Sequence, residues 1–506
     1  MKILLVSFGF TNLANRYFYS MFKEEGYEVD FYVDPVLFSD HYFEIESLSK
    51  FFSYKNKFLE KIESFEPDLV GFSTTIIHYK KALYYSSLIK KYCDKTEKEI
   101  KTVLGGPYIT SNPHNTILNN SVDFICIGEG EEAFLELVQK YESGDNCTNI
   151  KNIWTIFEGK LIKNDVRAPI KNLDKLPFPV ELPVNSFPPS KIFYSTMSLR
   201  GCPYACSYCM NDYYNNNLYF KKKFLRRRSV DNFISELKIA KKKYDPEFIH
   251  FNDDDFLYDK KWLKEFSKKY SNEIGLPYFC FGNPSNFSKR EIDYLSDSNC
   301  HSIELGVQSV NSDLCKDVLN RYNNLSKIKE NINYLVEKGI FVQADNLYNL
   351  PTQTKEDILS VLKLYNEARP SRFFFFKLNL FPKTKIVDYY DSENLSKKEI
   401  RKRISSGVVV NPKNENLSEL FMSQIIFLSI FFNYIPKKVV MVIIKFKLYR
   451  LIPPIPEKFL NVFRKKSKYD LISKRVRNKY FYFTKKKIHS SLIRFLGLFF
   501  SFFERK

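Results

Sequence analysis

The chain has 506 residues, too many for one ordinary core, and its 44% hydrophobic and 17% aromatic content exclude a disordered protein. The net charge of +20 is uneven: from Lys437 to Lys506, twenty Lys or Arg stand against Glu457, Asp470 and Glu504, so the first 436 residues carry only about +3. Nine cysteines, six of them isolated, do not form a secreted disulfide framework, and MKILLVSFGF lacks the long apolar run of a signal peptide, so a reducing cytoplasm is the expected setting.

In residues 1–140, short apolar runs alternate with amphipathic stretches. Strands are predicted at Lys2 to Ser7, Val29 to Val33, Leu69 to Ser73, Thr102 to Gly105 and Phe124 to Gly128, with helices such as Asn15 to Glu25 and Tyr79 to Tyr92 between them. This is the pattern of a Rossmann-like, doubly wound parallel sheet, which binds ligands at the carboxyl ends of its strands. Those ends carry Ser7-Phe8-Gly9, Ser73-Thr74-Thr75, Gly105-Gly106-Pro107 and Gly128-Glu129-Gly130, small residues that let a large ligand reach the backbone. The same residues also suit plain strand–helix turns.

Residues 141–190 read as a linker, with five prolines between Asn172 and Pro189. A second alternation fills 191–390. Strands are predicted at Phe193 to Ser198, Phe248 to Asn252, Tyr278 to Gly282, Ser302 to Gly306, Phe341 to Leu347 and Phe373 to Leu380, with helices such as Val230 to Lys243 and Lys355 to Ala368. Six βα units are too few for a closed eight-stranded barrel and suit an open partial one. Residues 391–506 lose the rhythm and are expected to be mostly helical, amphipathic and basic. Leu420 to Pro436 is a 17-residue uncharged run, short of the roughly 20 apolar residues a spanning helix needs. With the shorter apolar pieces Val439 to Ile444 and Phe495 to Phe503, it suggests helices lying on a membrane surface or packed on the enzyme.

The most specific signal is Arg200-Gly-Cys-Pro-Tyr-Ala-Cys-Ser-Tyr-Cys209, which spaces Cys202, Cys206 and Cys209 as C-x3-C-x2-C. Three thiolates in one loop can wrap one corner of an iron–sulfur cube and leave one iron open. A zinc site with a remote fourth ligand is the alternative. Spacing, the preceding strand and the partial barrel resemble the radical S-adenosylmethionine superfamily, in the branch carrying an N-terminal cobalamin-binding domain, over roughly residues 1 to 390.

That resemblance implies a [4Fe-4S] cluster on the three cysteines with Tyr208 beside it, and S-adenosylmethionine cleaved to a 5′-deoxyadenosyl radical. It implies that Asp253, Asp254 and Asp255, after the second barrel strand, receive the amino group of S-adenosylmethionine, for which carboxylates are the natural acceptors. Gln308 and Ser309 stand where the branch has Glu and Ser, and Gln keeps hydrogen bonding but not charge. Asn349-Leu-Pro-Thr-Gln-Thr354 has lost the glycines usual at the fifth strand. Cobalamin is implied on Ser73, Thr74, Gly105 and Gly106. None of the six histidines falls in an Asp-x-His-x-x-Gly motif, so no protein ligand to cobalt is expected.

The implied reaction is methylation of an unactivated carbon in a lipid or secondary metabolite. The alternatives are cyclisation, oxidation or sulfur insertion, and a non-catalytic redox- or cobalamin-sensing protein. The expected partners are a small-molecule or lipid substrate, an electron donor such as flavodoxin or ferredoxin, and a peripheral contact with the inner membrane surface through the basic tail; nucleic acid is not expected.

Overall fold

A computed structural model describes residues 1–9, 12–38, 46–180, 193–220, 224–390, 400, 402–404 and 416–455. The first half is a seven-stranded sheet in the order β2-β1-β3-β4-β5-β6-β7. Its strands are β1 Lys2–Phe8, β2 Glu28–Asp34, β3 Leu69–Ser73, β4 Lys101–Gly105, β5 Phe124–Cys126, β6 Ile153–Phe157 and β7 Lys160–Ile162. The first five are parallel, and Ile3, Leu4, Leu5 and Val6 have no solvent exposure, as expected of strands covered on both faces. Helices α1 Leu13–Glu24, α2 Lys55–Phe65 and α3 Tyr79–Thr96 supply the first crossovers, short helical turns over 107–117 join β4 to β5, and α4 Glu131–Glu142 leads from β5 to β6.

The hairpin β6–β7 corrects the reading of 141–190 as a linker. It adds antiparallel to β5 and closes that edge of the sheet. Its turn, Glu158-Gly159, has positive φ at both residues, as a two-residue turn matched to the sheet's twist requires.

The second half is a six-stranded all-parallel sheet in the order β15-β14-β13-β12-β11-β8, the open partial barrel expected from the sequence. After β8 Tyr194–Thr196 comes a short antiparallel pair, β9 Leu199–Arg200 and β10 Arg226–Arg227, framing the cysteine loop. The remaining strands are β11 Ile249–Phe251, β12 Tyr278–Gly282, β13 Cys300–Gln308, β14 Phe341–Tyr348 and β15 Arg372–Lys377. Helices α5 Val230–Tyr244, α6 Lys260–Glu273, α7 Lys289–Asp297, α8 Leu325–Glu337 and α9 Lys355–Ala368 clothe the outer face. Alternate strand residues (Ile303, Leu305, Val342, Ala344, Phe373) pack against them, and the intervening residues face the barrel interior.

Helix α10 Glu419–Phe431 is packing rather than a membrane span: Ile425, Ile426 and Phe432, just beyond it, join the barrel's outer core, and Phe432 meets the Phe373 ring edge-on. Helix α11 Lys437–Lys445 packs Val440 and Ile444 against the same core. No helix among the described residues is long and apolar enough to cross a membrane. The expected apolar piece Phe495 to Phe503 lies outside the described residues.

Candidate functional site

The carboxyl ends of the two parallel sheets face one cavity of about 590 Å³, within the range of small-molecule sites, roughly 300–1,000 Å³. Ser73, Thr75, Gly105, Gly106 and Gly128 line it from the first sheet; Met197, Gly201, Met210, Asn211 and Asp254 line it from the barrel side. Most of its wall is apolar, with Phe18, Phe72, Tyr214 and Phe224 among the contributors.

On the first sheet, the exits of β3 and β4 are pressed together. Gly106 has φ +107°, and a Cβ there would stand 2.4 Å from the Thr74 carbonyl oxygen, so only glycine fits. Behind it, Thr74 is buried and its hydroxyl donates to the Thr75 carbonyl at 3.0 Å. Thr75, not Thr74, therefore presents its side to the cavity, a correction to the sequence-based assignment. Asn12, which sequence reasoning missed, caps α1 and donates to the Ser73 hydroxyl at 2.9 Å, fixing that hydroxyl at the floor. Glycines, hydroxyls and an apolar wall form a cradle that fits a large corrinoid ligand, and none of the lining residues is histidine.

On the barrel side, Cys202, Cys206 and Cys209 are free thiols in the loop between β9 and the helical turn at Met210. The loop's backbone is held throughout. The Ser207 hydroxyl donates to the Val318 carbonyl at 2.6 Å, Asn320 to the Ala205 carbonyl at 2.7 Å and Asn215 to the Cys202 carbonyl at 2.8 Å. Burial lifts the Cys209 thiol to about 11 and the Cys202 thiol further, so metal binding must displace their protons. Among the described residues no three His, Cys, Asp or Glu converge as around a single ion. A cluster does not need that convergence, since each thiolate takes its own iron. The three thiols in a preorganised loop fit such a group. They are set back from the cavity toward Arg321, which no sequence motif marked: its Nη1 lies 3.7 Å from Cys206 Sγ, and its Nη2 donates to the Gly306 carbonyl at the top of β13. Tyr208 places its hydroxyl at Cys206, with the Arg321 charge beside it.

The three aspartates divide their work. Asp253 has no exposure and is consumed by Ser198, accepting from its N–H at 3.0 Å and its hydroxyl at 2.7 Å. Asp255 accepts from the Tyr204 hydroxyl at 2.6 Å. Only Asp254 borders the cavity, where it accepts from Asn211 at 3.1 Å. Asp254 is exposed where it borders the cavity, and desolvation by the surrounding walls raises its carboxyl to about 6.

Gln308 occupies a bulge at the end of β13 with φ +68°, folding its amide back over Gly306. Ser309 is buried, and its hydroxyl accepts from the Asn311 N–H at 3.2 Å, a local turn bond. One layer down inside the barrel, the Gln343 amide bridges Glu304 (2.8 Å) and Asp345 (3.0 Å) and accepts from Arg372 at 2.8 Å. Burial and the Glu304 charge hold Asp345 well above the usual carboxylate range.

A salt-bridge clasp joins the two halves beside the cavity. Glu129 accepts from Arg226 at 2.7 and 3.0 Å, and Arg200, at the root of the cysteine loop, pairs with Glu131 at 2.5 Å. Tyr219 accepts the Glu129 N–H at 2.9 Å. Burial acts to raise the Glu129 carboxyl, but the arginine hydrogen bond and charges outweigh it and leave it below its ordinary value.

Comparison with known proteins agrees with this layout. The B12 binding domain profile matches residues 3–138 and the Radical SAM superfamily profile residues 197–365. An uncharacterised methyltransferase, PH0819, of Pyrococcus horikoshii is 24% identical over 342 residues, 66% of this chain and 72% of its own. The anaerobic magnesium-protoporphyrin IX monomethyl ester cyclase of Rubrivivax gelatinosus is 23% identical over 330 residues, 62% of this chain and 56% of its own. The solved structure of the cobalamin-dependent S-adenosylmethionine radical enzyme OxsB superposes with a TM-score of 0.65 at 12% identity, covering 97% of this chain and 80% of that one, which shows a common fold. The two domains take cobalamin and a [4Fe-4S] cluster with S-adenosylmethionine, respectively. With one profile on each half and the cysteine loop opening the second, the chain belongs to the radical SAM superfamily, in the branch with a B12-binding domain ahead of the barrel.

Proposed function

We propose that this protein is a methyltransferase that adds a methyl group to an unactivated carbon of a small molecule or lipid by radical chemistry. The observation that carries the reading is the shared cavity, with the glycine and hydroxyl floor of the B12-binding sheet on one side and Asp254 and the flanks of the cysteine loop on the other. When bound, the cofactors supply one-electron cleavage of a sulfonium bond and a transferable methyl group.

The chain's part is to bind, orient and exclude water. Cys202, Cys206 and Cys209 bind the cluster, and three thiolates leave one iron of four without a protein ligand. Arg321 offsets the negative charge gathered there, and Tyr208 packs beside it. Asp254 receives the ammonium of S-adenosylmethionine; Asp253 and Asp255 position it by fixing Ser198 and Tyr204. Gln308 offers its amide to the same cofactor, and Ser309 braces the turn beneath it. Ser73, Thr75, Gly105 and Gly106 hold cobalamin, with Thr74 as the backing. The barrel interior, with the Glu304–Gln343–Asp345 group below the cysteine loop, receives the substrate. A small electron carrier such as flavodoxin or ferredoxin and a peripheral membrane contact complete the proposed partners.

The test is anaerobic turnover of the reconstituted protein with candidate substrates, read by mass spectrometry. A product one methyl heavier, together with 5′-deoxyadenosine, both absent from the Cys202→Ala/Cys206→Ala/Cys209→Ala variant, is the expected result. Ring closure without methyl transfer is the second reading, favoured by the relative named as a cyclase; it predicts 5′-deoxyadenosine with a product that has gained no carbon. Absence of 5′-deoxyadenosine under every condition would leave a binding protein.

A further inference from the structure

The described chain exposes 23 large hydrophobic side chains, and nine of them fall between Leu420 and Leu451. Such concentration on one outer surface is unlike the single scattered apolar residues of an ordinary exterior. Tyr434 is 86% exposed, Leu451 81% and Phe446 64%. Helix α11 shows how they are organised. Val440 and Ile444 turn inward to the barrel's outer core. Val439, Val442 and Phe446, spaced three and four apart, form a second stripe that stands in solvent. Lys438 and Lys445, seven apart, run alongside it, both exposed. The chain then turns at Lys447, whose φ is +56°, and the following turn presents Leu448 and Leu451.

Within this segment of the chain the charge has one sign, although Glu367 of α9 lies beside Lys437 at its edge. From Leu420 to Pro456 there is no Asp or Glu, whereas Lys437, Lys438, Lys445, Lys447 and Arg450 are all exposed. A protein partner would ordinarily be matched by some mixture of charges; an apolar ridge flanked along α11 and the turn after it by Lys438, Lys445, Lys447 and Arg450 matches a surface that is apolar inside and anionic outside. Lysine stems can lie along the apolar ridge and carry their ammonium groups outward to phosphates.

We infer that the exposed face of α11 and the turn after it, with Val442, Phe446 and Leu451 as apolar anchors and Lys438 and Lys445 as the cationic rim, binds an anionic lipid bilayer. The inference deepens the membrane contact proposed above and does not depend on methyl transfer, because its test reads binding without turnover. Helix α11 packs on α9 of the barrel through its opposite face, so docking there holds the barrel at the lipid surface.

The experiment is flotation of the purified full-length chain with vesicles of phosphatidylcholine containing phosphatidylglycerol, beside vesicles of phosphatidylcholine alone, with sedimentation velocity on the same samples. The expected result is flotation with the anionic vesicles only, weakened by added salt and reduced about tenfold or more in Val442→Glu/Phe446→Glu. Far-UV circular dichroism controls the fold, and Lys438→Glu/Lys445→Glu, which leaves every apolar contact in place, decides the matter if the first variant misfolds. Three outcomes overturn the inference: no flotation of the parent; flotation unchanged in both variants, which assigns binding to residues beyond Ile455; or variants that convert a self-associated parent to monomer with no vesicle binding, which assigns the face to a second copy of the chain.

Discussion

The division of labour among the three aspartates makes the sharpest prediction. Asp253→Asn keeps the side chain's shape but removes a buried negative charge. Ser198 offers that carboxylate two donors, an N–H at 3.0 Å and a hydroxyl at 2.7 Å. Beside it Arg227 is half-buried, its guanidinium 3.8 Å from the Trp262 ring centroid and its Nε donating to the Ser198 hydroxyl at 3.2 Å. Burial lowers the Arg227 pKa, opposed by the Asp253 charge first among its neighbours. Leaving one buried donor unmatched costs about 1–3 kcal/mol, and an uncompensated buried charge about 3–5 kcal/mol. Because Arg227 retains Asp255 and Asp259 nearby, the lower end applies, about 3 kcal/mol. For a domain of this size that lowers the barrel's melting transition by about 6–12 °C. Asp254→Asn, whose carboxylate faces the cavity, should leave the transition within about 1–2 °C and weaken S-adenosylmethionine binding about tenfold or more. The assays are thermal unfolding by circular dichroism and equilibrium dialysis of S-adenosylmethionine with the reconstituted protein. An Asp253→Asn variant that melts with the parent, or an Asp254→Asn variant that binds the cofactor as well as the parent, would refute the division.

Gly106→Ala places a methyl group against the Thr74 backbone in a conformation that only glycine adopts readily; about 2–4 kcal/mol of destabilisation in the B12-binding half and loss of cobalt after reconstitution are expected, measured by denaturant unfolding and metal analysis. Glu129→Gln weakens the clasp. Because the folded Glu129 carboxyl lies below its ordinary 4.5, its stabilisation is complete above that pH and is lost as pH falls through the lowered value, so the gap in melting temperature between parent and variant should be largest near neutrality and close in acid. Asp345 behaves oppositely: its carboxyl is raised, so ionisation costs stability as pH rises, and Asp345→Asn should melt higher than the parent at neutral pH and converge with it in acid. Tyr219→Phe removes the acceptor of the Glu129 N–H and should cost about 1 kcal/mol in unfolding free energy.

Much of the fold was legible because its elements are local and strongly patterned. Strands Leu69–Ser73 and Tyr278–Gly282 and helix Lys355–Ala368 end where the apolar periodicity ends. The hairpin Ile153–Phe157/Lys160–Ile162 escaped because its turn is Glu158-Gly159 rather than the Asn-Gly or Asp-Gly that advertises two positive φ angles. In the site, the cysteine spacing was visible because one loop carries all three residues. The roles of neighbouring aspartates were not, since a run of carboxylates does not reveal which is consumed by Ser198, which by Tyr204 and which faces the cavity. Arg321 and the pairing of Glu129 with Arg226 were missed for a different reason. Arg321 is 115 residues from Cys206, and Glu129 is 97 from Arg226, so only tertiary packing brings each pair together.

The measurement that reaches the central claim most directly is anomalous diffraction at the iron and cobalt edges from crystals of the anaerobically reconstituted protein. The account predicts an iron peak within bonding reach of Cys202, Cys206 and Cys209 and a cobalt peak in the cavity bordered by Ser73, Gly105–Gly106 and Met210. Iron bound away from these cysteines, or cobalt bound outside that cavity, would contradict it.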